Sequence, residues 1–195
     1  MIALPKHKMT VEEFLAWSET QPKEAGRFEL WDGEIIEKFG EAGSMNAPRS
    51  QHWDMKIKLY RALYDALALA KIEGHVAVDG ASVVMPGDRL AEPDVLVYLG
   101  QKVARDALIV PNPIVICEVL SPGTARFDMS AKFAGYFALP SVMHYIVADP
   151  DVPQIIHHAR GPGAVITTQI IADRAASLIL DPPGLRVSLS DVLEA

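Results

Sequence analysis

A single cysteine, Cys117, in 195 residues leaves no partner for an internal disulfide. Stability must come from a packed core, in keeping with a reducing compartment. No apolar run approaches the roughly 18–20 residues that span a bilayer. The first eight residues lack the apolar stretch of a secretory signal, so a cytoplasmic protein with no membrane partner is expected. A Gly-rich phosphate loop, a zinc-spaced Cys/His set and a Gly-x-Ser-x-Gly elbow are all missing, which disfavours nucleotide-cofactor and serine-hydrolase chemistry. Positive charge is short as well: 18 Lys and Arg face 25 Asp and Glu, for a net charge of -7. Tight nonspecific nucleic-acid binding is driven by Lys and Arg, so here it would need a local basic groove or a bound cation.

What is present is a chain that is 50% hydrophobic, enough for one compact domain over residues 1–195. Thr10-Val11-Glu12-Glu13 has capping-box spacing and predicts a helix to about Ser18. Arg27–Leu30 and Glu34–Lys38 alternate around Trp31-Asp32-Gly33, the signature of a tight hairpin. Gly40 to Ser50 has loop composition. From Ser50 to Lys71, Trp53, Ile57, Tyr60, Leu63 or Tyr64, Leu67 and Ala70 recur at helical spacing, with Lys56, Lys58, Arg61 and Asp65 on a solvated face and Gly74 closing the helix. His75–Val78 and Ala81–Met85 read as a second hairpin about Asp79-Gly80. Strands follow at Asp94–Leu99, Ile114–Leu120 and Met143–Ala148, then at Gln154–Ala159, Val165–Ile171 and Ser177–Leu180. A helix over 129–138, with Asp128 as its cap, and a short terminal helix after Ser190 complete the reading. The sum is a mixed sheet flanked by helices, an α/β (α+β) architecture with additional antiparallel hairpins.

Two acids interrupt this apolar pattern. Asp94 follows Pro93 at the mouth of one strand, and Glu118 lies within the run Ile114–Leu120. A buried carboxylate costs several kcal/mol unless a charge compensates it, and a metal ion is one candidate. Residues two apart on a strand share a face, so Cys117 points away from Glu118, and His157 and His158 cannot both face one ion. Two acids at neighbouring strand ends suit Mg²⁺, which takes one or two carboxylates with water and phosphate as its other ligands.

Pro93-Asp94, Glu118-Val119-Leu120-Ser121-Pro122-Gly123-Thr124, Asp128, Lys132, Tyr136 and Tyr145-Ile146-Val147-Ala148-Asp149-Pro150 together resemble the Uma-type (second Uma group) family, a bacterial branch of the PD-(D/E)XK restriction-endonuclease-like superfamily. Met9–Phe14, Phe28–Glu34 and His52 extend the likeness, which covers roughly residues 9–160. The resemblance implies a restriction-endonuclease-like fold. It also implies that Asp94, Glu118, the Val119 carbonyl and Glu29 bind Mg²⁺ or Mn²⁺, with His52 in support. The superfamily lysine belongs two residues after the second acid, where this chain has Leu120. The matching residue is Lys132 on the following helix. The implied activity is hydrolysis of a DNA phosphodiester by metal-activated water, with Lys132 stabilising charge or orienting the water, and with a homodimer expected because a duplex cut needs two sites.

Each residue also has a plainer reading. Asp94 would cap a turn, Glu118 would pair with Lys132 or an arginine, and Glu29 would face solvent. His52 would cap or pack at a helix start, and Tyr136 would fill core. The alternative function is a catalytically inactive nucleic-acid-binding or assembly module of the same fold. Cleavage of a smaller phosphoester is a third possibility.

Overall fold

The computed structural model describes residues 4–22, 25–38, 50–120 and 128–193. The expected loop over 40–49 and the Ser121–Thr124 motif lie outside them, as does the side chain of Asp128. The elements are α1 (Val11–Glu19), β1 (Arg27–Trp31), β2 (Glu34–Lys38), α2 (Ser50–Ala70), β3 (Gly74–Val78), β4 (Val83–Met85), β5 (Arg89–Ala91), β6 (Val95–Leu99) and β7 (Pro113–Val119). A π-helical turn, Asp128–Lys132, runs into α3 (Phe133–Phe137). Then come β8 (His144–Asp149), β9 (Gln154–Arg160), β10 (Ile166–Ile171), β11 (Ser177–Leu180), β12 (Leu185–Ser188) and a 3-10 turn, Leu189–Asp191. The mixed α+β class is as expected.

Three layers result. The central six-stranded sheet has the order β10-β9-β8-β7-β6-β3, antiparallel except for the parallel pair β7 and β8. Both of its faces are covered, which is why β6 and β7 read as unbroken apolar runs. One face carries Val95, Val97, Val115, Cys117 and Val119 against Met55, Leu59 and Leu63 of α2 and the β11–β12 hairpin. The other carries Leu96, Tyr98, Ile116, Tyr145 and Val147 against Trp31, Val83 and Met85 of the second sheet and Tyr136 of α3. That second sheet has the order β2-β1-β5-β4. On it lies α1, capped by reciprocal Thr10 and Glu13 bonds, with Phe14 packed on Leu30 and Leu90. At Gly135 a Cβ would stand 2.9 Å from Met85 Sδ and 3.1 Å from the Trp31 ring, so the glycine lets α3 lie against that layer.

Three expectations need correction. Asp79 and Gly80 do turn with positive φ, but they make no hairpin: β3 pairs with β6, whereas β4 pairs with the unanticipated strand β5. Helix α2 ends at a left-handed Lys71, and Gly74 belongs to β3, where a Cβ would stand 2.9 Å from Leu67 Cδ2. The buried face of α2 is also rotated. Met55, Lys56, Leu59, Ala62, Leu63, Ala66 and Leu67 point inward, while Trp53 and Tyr64 are 52% and 56% exposed. Two stripes of the helix have apolar spacing, and the one with small Ala62 and Ala66 lets the helix approach the sheet.

His144 and His157 form a buried pair between β8 and β9. His144 Nε2 donates to the Pro182 carbonyl (2.8 Å), so neutral His144 accepts at Nδ1 from His157 Nε2 (3.0 Å). His158, on the opposite face, meets Thr168 Oγ1 instead, which agrees with the expected alternation. Burial first, then the neighbouring imidazoles, push His157 from the usual 6.5 down to about 4. A group kept neutral by folding contributes stability that is complete above its unfolded pKa and is lost as pH falls from about 6.5 toward 4. Between pH 7.5 and 5 the wild-type melting temperature should therefore fall by roughly 4 °C more than that of His157→Gln. Calorimetry showing equal falls for the two proteins would contradict this account of the pair.

Candidate active site

Pairing of Val95 with Cys117 sets the register of β6 on β7 and brings Asp94 level with Glu118. Residues opposite one another on antiparallel strands share a face. Val119 then ties the strand end together. Its amide donates to Asp94 Oδ2 at 2.7 Å, and its carbonyl accepts from His52 Nε2 at 3.0 Å. His52 Nε2 also lies 3.9 Å from Asp94 Oδ2. With Nε2 carrying the hydrogen, His52 Nδ1 is a buried lone pair without a hydrogen-bond partner among the described residues. Burial pushes the His52 pKa down against the pull of Asp94, so the ring is neutral at physiological pH.

The carboxylates are buried, and lysines compensate them. Asp94, Glu118 and Glu29 are each 2–3% exposed. Lys56 Nζ sits 2.8 Å from Asp94 Oδ1 and 2.9 Å from Asp79 Oδ1, and Lys38 Nζ is 3.8 Å from Asp94 Oδ1. Lys56 thus holds Asp94 Oδ1 in a close, charge-assisted ion pair. Burial alone would raise the Asp94 pKa, but Lys38 and Lys56 outweigh it and hold the carboxyl at about 2. For Lys56 burial opposes the charge, while Asp94 and Asp79 prevail and its pKa is raised.

Lys132 closes the other half of the site. As the last residue of the π-helical turn it is 3% exposed, with Nζ 2.9 Å from Glu118 Oε1 and 3.4 Å from Glu29 Oε1. Tyr136, one turn on, donates its hydroxyl to the same Glu118 Oε1 at 2.7 Å. Burial first, then Glu118, push the phenol pKa far up, so Tyr136 remains a proton donor. Glu29 is fixed in turn, accepting from the Glu92 amide (3.0 Å) and the Trp31 indole (3.3 Å). Cys117 is turned to the opposite face, where burial pushes its thiol pKa up, so it takes no part.

Glu118, Glu29 and Lys132 are thus in one ion-paired cluster. Asp94, Val119 and His52 form a second that shares the Glu118–Val119 strand end. Among the described residues no three of His, Cys, Asp and Glu converge as a metal cage. The sequence reading missed Lys56 and Lys38 as partners of Asp94 and placed Lys56 on the solvated face, although Lys56 lies one turn after His52 and in line with Leu59 and Leu63. Glu29 is not the solvent-facing residue that its plainer reading suggested. Tyr136 is core, as that reading had it, and it also bonds Glu118.

A family model described as "Putative restriction endonuclease", Uma2, matches residues 11–190. An uncharacterized protein of Synechocystis is 30% identical over 86 residues, 43% of this chain and 49% of that protein. The chain thus spans about half the length of that relative. A second uncharacterized Synechocystis protein is 26% identical over 164 residues, 82% of this chain and 78% of its own length. The fold is shared with an Anabaena variabilis protein described as a "putative nuclease", with a TM-score of 0.70 at 18% identity, covering 95% of this chain and 97% of that one.

The Asp94 geometry makes a stability prediction. Lys56→Met leaves a buried carboxylate with Lys38, 3.8 Å away, as its nearest lysine among the described residues, and removing one partner of such a pair costs about 3–5 kcal/mol. Urea denaturation should show that loss, and Lys56→Met/Asp94→Leu should recover most of it. A Lys56→Met protein as stable as wild type would show that the ion pair contributes nothing.

Proposed function

The chain belongs to the Uma2 family, and from that premise we propose that it is a divalent-metal-dependent DNA endonuclease. The observation that carries this reading is Lys132 Nζ at 2.9 Å from Glu118 Oε1, which supplies from the following helix the lysine that Leu120 cannot. In this reading Asp94, Glu118 and the Val119 carbonyl hold Mg²⁺ or Mn²⁺. Two carboxylates and a carbonyl suit a hard cation that completes its shell with water and phosphate. The donor set supports the fit: Asp94 and Glu118 lie level on neighbouring strands, each buried to 2% exposure, with the Val119 backbone beside them. Bound there, the ion supplies Lewis-acid polarisation of the phosphate and makes water nucleophilic near neutral pH.

The chain's own residues do the rest. Glu29 and Tyr136 fix Lys132 and Glu118 in place, so the ammonium is held ready beside developing negative charge. His52, neutral, holds the Val119 carbonyl in place through Nε2. The lysines that compensate the acids would also set an entry condition, since a cation at Asp94 or Glu118 would compete with Lys56 or Lys132 for the carboxylate. We further propose that the protein acts as a homodimer in the cytoplasm, since cutting both strands takes two sites.

Plasmid nicking with Mg²⁺ or Mn²⁺, and with chelator as control, tests the reading. Glu118→Gln and Lys132→Met should each lower the rate by about 10²–10³-fold while the fold is retained. Wild-type protein that cleaves no supercoiled, linear or branched DNA with either ion would overturn it and favour the non-cleaving module.

A further inference from the structure

Beside the candidate site lies a cleft of about 460 Å³ whose lining pairs aromatic rings with cations. One wall is the outer face of α2, where Tyr60 and Tyr64 lie near parallel at 20°, with centroids 6.0 Å apart and Tyr64 56% exposed. The floor is the edge strand β3, with His75 tilted over buried Tyr98 at 5.1 Å. The far wall carries exposed Lys102 and Arg105, and it is pinned to the floor by the Val103 amide donating to the Tyr98 hydroxyl at 3.4 Å. Asp79 marks one end of the cleft, and its carboxylate is taken up by Lys56 (2.9 Å) and Arg27 (3.4 Å). Lys56 in turn contacts Asp94, so the ion pairs Asp79–Lys56–Asp94 link the end of the cleft to the candidate site.

We propose that this cleft binds an unpaired stretch of a nucleic-acid strand, with a base stacked on Tyr64 and phosphates on Lys102 and Arg105. An exposed ring accepts any base, and cations across the cleft match the backbone's charge, which is how single strands are held without sequence readout. The local pair of cations also answers the difficulty set by the net charge of -7, because attraction is needed only where the strand lies. The inference rests on the nucleic-acid substrate proposed above and narrows it to DNA with a frayed, looped or single-stranded segment.

The test is fluorescence anisotropy of labelled oligothymidylate and of a blunt hairpin duplex, measured in chelator so that no cleavage intervenes. Tyr64→Ala should weaken oligothymidylate binding by about ten-fold, the loss of one stacked base, with Tyr64→Phe close to wild type. Lys102→Glu/Arg105→Glu should weaken it further and flatten its salt dependence, and duplex binding should change less than about two-fold. Unchanged oligothymidylate affinity in both variants, or no binding by wild type, would overturn the proposal. So would sedimentation showing a wild-type dimer that Tyr64→Ala dissociates, because the cleft would then hold a second copy. A protein that binds oligothymidylate through Tyr64 yet nicks no plasmid leaves this inference standing and sinks the nuclease. The reverse pattern spares the nuclease and sinks the cleft.

Discussion

Three buried carboxylates, Glu29, Asp94 and Glu118, impose the constraint on which the rest of this molecule is arranged. Glu29 comes from β1, Asp94 from the mouth of β6 and Glu118 from β7, and burying a carboxylate is costly unless a cation stands close by. The chain meets that need from its helices. The inward face of α2 delivers Lys56, and the π-helical turn before α3 delivers Lys132. The wider π-helical turn just ahead of the regular helix puts both Lys132 and Tyr136 on Glu118 Oε1. Gly135 allows the same helix to sit close on Trp31, whose indole holds Glu29.

A buried ion pair is weak evidence for stability, because apolar residues of similar volume often fold as well or better. Its presence therefore calls for another purpose. Under the proposed function, that purpose would be to hold the acids in place, with Asp94 kept ionised by Lys38 and Lys56, until a divalent ion takes a lysine's position. The sequence offered a metal ion as one candidate for the charge that compensates the buried acids; in the described structure lysines lie against them. Under the proposed function a metal would compete for the same oxygens.

Much of the fold was legible because its signals are local. The capping box at Thr10, the Asp32-Gly33 hairpin and the doubly buried runs of β6 and β7 depend on neighbours in sequence, and each stands where expected. Pairing between distant strands was not legible, which is why the Asp79-Gly80 turn was taken for a hairpin when it passes the chain from one sheet to another. The α2 face was misread for a related reason. Two apolar stripes compete on that helix, and only the sheet beneath decides between them. With the wrong stripe turned inward, Lys56 looked solvated and the true partner of Asp94 was hidden. Lys132 and Tyr136 were visible as motif positions, but their convergence on one oxygen of Glu118 belongs to tertiary structure.

The central claim is that the Asp94 and Glu118 carboxylates exchange a lysine for a divalent cation. Crystals soaked in Mn²⁺ and measured at the manganese absorption edge test it most directly. The account predicts an anomalous peak about 2.1–2.3 Å from Asp94 Oδ1, a Glu118 oxygen and the Val119 carbonyl, with Lys56 or Lys132 moved off its carboxylate. An anomalous map empty at that position, with both lysine pairs intact at saturating Mn²⁺, would contradict it.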